Sequence, residues 1–221
     1  MTKGEVLSKL QELGTEKLRA YNIKNGSGEN TFGVKMGDIR ALAKAIKSDP
    51  DLAKELWATG NLEARLLATL IEKPKTLSPE TIEQMVKDAT YSWLADWVAT
   101  NITKQSPHKE ELRKKWMESD EPTLARAAWS LTTERVCKSP EGLDIPYLLN
   151  RIDKELPTAH PLAQWTMNFC LGEIGINFEE HRERAVAIGE KHGLYSDYPV
   201  SKGCITPYVP TWVAEMVKRK A

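Results

Sequence analysis

Four five-residue strings that recur at near-constant spacing constrain this chain more than any other feature. Ala64-Arg65-Leu66-Leu67-Ala68, Ala95-Asp96-Trp97-Val98-Ala99, Ala125-Arg126-Ala127-Ala128-Trp129 and Ala163-Gln164-Trp165-Thr166-Met167 begin 31, 30 and 38 residues apart. Each falls in the second of two helical segments, and the segments are punctuated alike. Asp49-Pro50 starts a helix through Trp57, Thr59-Gly60-Asn61 turns the chain, and a second helix runs to Glu72 before Lys73-Pro74. Ser78-Pro79-Glu80, Ser106-Pro107 and Glu121-Pro122 open later pairs in the same way, with Pro at the first helical position, where its missing N–H costs nothing. Helix pairs at a period of roughly 30 to 45 residues are the signature of a solenoid, in which no pair can bury its apolar face alone and neighbours stack into a continuous core. The predicted fold is therefore all-α, an α-solenoid of HEAT/armadillo-like repeats, an α-α superhelix. It is expected to form one domain over 1–221, with an N-terminal helical region 1–48 and a C-terminal capping region 193–221.

Strand signals are nearly absent, since no alternating run of β-branched and aromatic residues is bounded by hairpin turns. From Gly4 to about Tyr21 the apolar residues Val6, Leu7, Leu10, Leu13 and Leu18 keep to one helical face. The Gly- and Asn-rich stretch that follows reads as a loop until Asp38 opens a helix. Near the other end, Tyr195, Tyr198, Pro199, Gly203, Pro207 and Pro210 make a non-helical excursion before a last helix around Trp212 to Lys220. The excursion is open to two readings: a cap over the terminal repeat, or a segment that brings Lys202 and Cys204 to a ligand.

Charge and composition narrow the function. Lys+Arg and Asp+Glu are equal at 31 each, and the isoelectric point is near 6.9, so any nucleic-acid role has to rest on a local patch rather than on a basic domain. No run approaches the roughly 18 apolar residues of a membrane span, and the charged N-terminus is unlike a signal peptide; a soluble, cytoplasmic protein is expected, with no membrane partner. Cys137, Cys170 and Cys204 are odd in number and widely spaced, which excludes a disulfide framework and a CxxC site. The four His show no ligand spacing. No metal and no cofactor are predicted.

The repeat register places Arg65, Asp96, Arg126 and Gln164 at the same position of successive repeats, so regular stacking makes them a row with one carboxylate between two guanidinium groups. Such a row is either an inter-repeat salt-bridge ladder or the floor of a binding groove. Trp93, Trp97, Trp129 and Trp165 crowd the same helices, where indoles serve as core filler or as stacking platforms.

With Thr31-Phe32-Gly33-Val34-Lys35, Asp38-Ile39-Arg40, Trp93 with Asp96, and Arg126-Ala127-Ala128-Trp129, the sequence resembles the bacterial DNA alkylation repair proteins with HEAT-like repeats, the AlkD-like DNA glycosylases. The string Tyr198-Pro199-Val200-Ser201-Lys202-Gly203-Cys204 with Pro207, Pro210 and Trp212 is similar to a divergent branch of that family. The resemblance implies a monofunctional glycosylase that excises cationic N3- or N7-alkylated purines from duplex DNA. It implies Asp96 as the carboxylate that stabilises the oxocarbenium-like sugar and Arg126 as a backbone contact. Trp93, Trp165 and Phe169 are the implied aromatic contacts, and Arg40, Arg65 and Lys202 further contacts to DNA. The family pattern has a Trp four residues before the carboxylate, where this chain has Ser92 and carries its indole at Trp93, three before. The chemistry is coherent, because an alkylated purine is already a good leaving group and a fixed negative charge beside the developing sugar cation is electrostatic catalysis. The expected protein is a monomer. The alternative is a non-enzymatic HEAT-like scaffold that binds a protein partner or unusual DNA structures.

Overall fold

The computed structural model describes residues 1–220 and is helical throughout, with thirteen α-helices and no strand among the described residues. The chain gathers into two compact units, Met1–Lys109 and Glu110–Ala221. In the first, α1 (Lys3–Leu13), α2 (Glu16–Lys24) and α3 (Met36–Ile46) precede the pair α4 (Pro50–Trp57) and α5 (Leu62–Ile71), followed by the pair α6 (Pro79–Asp88) and α7 (Ser92–Asn101). The second unit holds the pairs α8 (Lys109–Trp116) with α9 (Pro122–Lys138), and α10 (Ile145–Glu155) with α11 (Pro161–Asn177), then α12 (Glu179–His192) and α13 (Val209–Lys220).

The helix starts follow from local chemistry. Asp49, Ser78 and Glu121 each precede a Pro and accept a hydrogen bond from the backbone N–H three residues on, at 3.1, 3.3 and 2.8 Å. These bonds satisfy donors that a helix N-terminus otherwise leaves orphaned. Ser106-Pro107 behaves differently: the Ser106 hydroxyl accepts the His108 N–H at 3.0 Å in a turn, and α8 begins only at Lys109. Within each unit the second helices pack on one another, α5 against α7 and α9 against α11. Their inward residues, Leu66, Leu67, Leu94 and Val98 in one unit and Ala128, Leu131, Cys170 and Leu171 in the other, are buried. This is the stacking that a repeat architecture requires, since each pair is stabilised by burying its face on the next.

Two further places depart from the reading of the sequence. The first helix does not run from Gly4 to Tyr21 but stops at Leu13, and α2 starts at Glu16. Gly14 adopts an extended conformation, and a Cβ there would lie 2.4 Å from the Phe32 carbonyl oxygen. The N–H of Thr15 is taken by the Gly33 carbonyl at 2.9 Å rather than by the helix. Of the apolar residues expected on one face, Val6 and Leu10 are buried, Leu18 is half-buried and Leu13, at the end of α1, is 41% exposed. The other departure is the start of α3 at Met36, two residues before Asp38, which lies in its first turn.

The C-terminal helix packs on α11 and α12 at close range. A Cβ on Gly172 would be 2.4 Å from the Trp212 ring, one on Gly189 would be 2.8 Å from Val209, and the buried Asn168 amide donates to the Pro207 carbonyl at 2.8 Å. Glycine is required at these positions by the approach of α13 and of the segment leading into it.

Candidate nucleic-acid interface

In the first unit, α7 buries Leu94 and Val98 against α5, and the Asn101 amide donates to the Thr69 hydroxyl at 3.1 Å, which sets the rotation of the helix. That rotation leaves Asp96 exposed and Trp93 and Trp97 half-buried. Trp93 and Asp96 are three residues apart and therefore neighbours on one side of the helix. The Trp93 ring meets Tyr91 edge-on, with centroids 6.4 Å apart. Trp97, about 100° further round, lies under the guanidinium of Arg40, whose Cζ is 5.3 Å from the ring centroid. Arg40 comes from α3 and is exposed. Arg40, one of the residues expected to touch DNA, is thus packed over Trp97, the residue that follows Asp96 on α7 and one of the indoles that the sequence offered as core filler or stacking platform.

Arg65 has a different setting. Its Nε donates to the Trp57 carbonyl at 3.2 Å and its Nη1 to the Asp88 carbonyl at 3.3 Å, and it pairs with the Asp88 carboxylate at 3.5 Å. The Trp57 indole N–H donates to the same carboxylate at 2.8 Å, and the guanidinium lies 5.1 Å from the Trp57 ring. Arg65 therefore ties the end of α4 to the end of α6. Gln164, its equivalent in the last repeat string, also bonds to the carbonyl eight residues earlier, that of Leu156 at 2.9 Å. The shared register thus has a structural component: the side chain closes its own helix pair.

In the second unit Arg126 is buried and donates to the Leu162 carbonyl at 3.1 Å, joining α9 to the start of α11. Trp165 and Phe169, one turn apart on α11, have ring centroids 5.0 Å apart, and Phe169 continues to Trp212 at 4.8 Å. Lys202 is exposed in the C-terminal excursion. Trp129, from the third repeat string, is buried beside a cavity of about 390 Å³, with Arg151 5.7 Å above its ring.

Two carboxyl groups with structural duties had no sequence signal that the periodic reading could use. Glu63, in the first turn of α5, is almost fully buried. It accepts from the Thr31 hydroxyl at 2.7 Å and from the backbone N–H groups of Phe32, Gly33 and Val34 at 2.8, 2.8 and 3.3 Å. Glu110 accepts a two-pronged bond from Arg113, at 2.8 Å on each oxygen, and pairs with Arg135 at 2.9 Å, so that α8 is clasped to α9. The Arg113 hydrogen bonds hold its carboxyl down at about 2, from an ordinary 4.5. A carboxyl depressed in the folded state contributes stability that is present above pH 4.5 and is lost as the pH falls from there toward about 2. Glu110→Gln is accordingly expected to melt below the wild type at neutral pH, with the difference in melting temperature shrinking across that window. A constant difference down to about pH 2 would show that the clasp is not electrostatic.

The remaining nucleophile candidates are set by their surroundings. Cys170 is buried in α11, and desolvation pushes its thiol up to about 12, so it is inert at neutral pH.

The exposed Asp96 carboxylate thus shares α7 with two half-buried indoles, one of which has the Arg40 guanidinium over its ring. The chain belongs to the DNA alkylation repair enzyme family, whose model it matches over residues 6–196. It is 25% identical over 166 residues to the Listeria innocua protein Lin0241, covering 73% of this chain and 72% of that one. The Listeria monocytogenes protein Lmo0209 matches at the same identity and coverage. A solved structure described as "a new family of proteins related to the HEAT-like repeat DNA glycosylases with affinity for branched DNA structures" superposes with a TM-score of 0.82 and 25% identity, over all of this chain and 95% of the other. The fold is therefore the HEAT-like repeat fold. Among the described residues no helix is long and apolar enough to cross a membrane.

Proposed function

We propose that this protein binds DNA through the exposed side of α7 and the neighbouring α3, and that Asp96 serves excision of cationic N3- or N7-alkylated purines. The observation that supports it is the exposed Asp96 carboxylate sharing a helix side with the half-buried Trp93, in a member of the DNA alkylation repair family. In such a site the carboxylate faces a sugar on which positive charge grows as the N-glycosidic bond breaks, and the indole contributes cation–π attraction. Arg40 is an exposed cation next to this surface and serves as a phosphate contact in this proposal. Trp165, Phe169 and Lys202 in the second unit are further contacts in this proposal. Arg65 and Arg126 support it mainly as the residues that hold the helices in place.

A second reading has its own support. The solved relative with affinity for branched DNA matches the whole chain, so binding of a branched structure without base release is the non-catalytic form of the same proposal. Titration of duplex and four-way-junction DNA by fluorescence anisotropy separates the cases. With no net charge on the protein, binding is expected to rest on about four phosphate contacts, giving a slope of about −3.6 in log K against log salt. Arg40→Ala should lower the slope by about one contact. Tighter binding to the junction with no base release favours the non-catalytic form. An absence of binding to either DNA at low salt removes the DNA reading and leaves a protein partner as the alternative.

A further inference from the structure

Around Trp165 the second unit assembles five aromatic rings from three parts of the chain. Trp165 contacts Phe169 on its own helix, Tyr195 at 5.3 Å with planes at 77°, and Tyr198 at 5.6 Å with planes at 47°. The two tyrosines meet edge to face at 5.7 Å, and Trp212 of α13 closes the far side against Phe169. This is more than core filling, because Tyr198 remains 43% exposed and Trp165 and Tyr195 are half-buried. The rings are presented by a constrained turn. Tyr195 has φ +65°, a left-handed conformation rare for a bulky residue, and its carbonyl accepts from the Tyr198 N–H at 3.1 Å and from the Thr206 hydroxyl at 3.3 Å. Such a conformation persists only where surrounding bonds hold it, so the turn fixes the positions of both tyrosine rings.

Charge around the cluster favours a neutral flat ligand over a cation. The Arg126 guanidinium acts on the Tyr195 hydroxyl, opposing the upward push of burial, and Lys202 lies in the same excursion. Asp197 sits between the two tyrosines in sequence, so the face is mixed rather than basic, and recognition falls to the rings. We infer that Trp165, Tyr195 and Tyr198 form a stacking platform for an unpaired nucleobase, such as occurs at a gap or a branch in DNA. The inference rests on the DNA-binding reading and names the part of the substrate that this unit takes. Stacking on aromatic side chains is sequence-tolerant because every base offers a π-face.

The test uses the full chain, a fully paired duplex, and the same duplex carrying a short gap with 2-aminopurine among its unpaired bases. Wild type is expected to quench the 2-aminopurine fluorescence on binding. Tyr198→Ala is expected to weaken binding to the gapped DNA by about tenfold, within the range found for loss of one base–aromatic stack, and to leave the paired duplex unchanged. Tyr198→Phe, which keeps the ring, should bind as wild type does. Tyr198→Ala also removes the ring contacts to Trp165 and Tyr195, so melting temperature is measured for both variants, and Tyr198→Phe, which keeps those contacts, is the folded reference. Binding of both DNAs without quenching, or an equal loss of both in Tyr198→Ala, overturns the platform while leaving the DNA reading in place. Binding to neither DNA by wild type overturns both.

Discussion

Asp96→Asn is expected to keep the fold and DNA binding and to cut the release of N7-methylguanine or N3-methyladenine from alkylated duplex DNA by about 10²-fold or more, the size of effect seen when one preorganised electrostatic group is removed. The substitution is nearly isosteric and falls on an exposed position of α7, so the packing of Leu94 and Val98 beneath it is untouched. What it removes is a full negative charge. An asparagine oxygen retains a dipole but cannot match the growing charge of the sugar. The competing account makes Asp96 a structural ion-pair member of the repeat register. On that account the Asn variant melts lower and the wild type releases no base. Released methylated base and melting temperature, measured for both proteins, decide between the accounts. A wild type inactive on alkylated duplex ends the excision claim and leaves the family and the fold standing.

The largest effect on stability is expected at Glu63. Replacement by Ala strips the partner from three backbone N–H groups and a hydroxyl around Thr31–Val34. Hydrogen bonds to a charged group contribute about 1.5 to 3 kcal/mol each, and a buried donor left alone costs about 1 to 3 kcal/mol. These terms are not additive, since the loop can open to water, so a loss of about 3 to 5 kcal/mol is expected in all. Glu63→Gln should be nearly as damaging. Its amide keeps one acceptor but turns an N–H₂ donor toward N–H groups that need acceptors. Hydrogen exchange of the Phe32, Gly33 and Val34 amides tests the mechanism as well as the magnitude: these amides should lose protection first. Unchanged protection and a melting temperature within a degree or two of wild type would refute the clamp. The same network explains a motif that the sequence presents without a reason. Thr31-Phe32-Gly33-Val34 offers its donors to one carboxylate, and Gly33, at φ +77°, lies so close to Arg19 and Thr15 that a Cβ would be 2.3 Å from the Arg19 nitrogen.

The paired helices and their stacking were legible in the sequence because their causes are local and periodic. Pro after a capping side chain starts α4, α6 and α9 where the residue order says it should. Four strings at a near-constant interval mark the helices that pack on one another. Local signals also failed where a neighbour intervened, as at Gly14, which is extended and so near the Phe32 carbonyl that a Cβ would lie 2.4 Å from its oxygen. The candidate site was legible only in part. Register picked out Asp96 and the indoles of the repeat helices, and the family resemblance added Phe169, but neither showed what each side chain meets. Arg65 meets Asp88, Arg40 reaches the ring of Trp97, and Trp165 gathers two tyrosines from the C-terminal turn. The physical reason is that one residue turns a helical side chain by about 100°, so a partner depends on the rotation of each helix against its neighbours. That rotation is set by long-range packing, such as the hydrogen bond that joins Thr31 to Glu63 across 32 positions of the chain. Periodicity records which face is buried; only the assembled tertiary structure decides what lies against it.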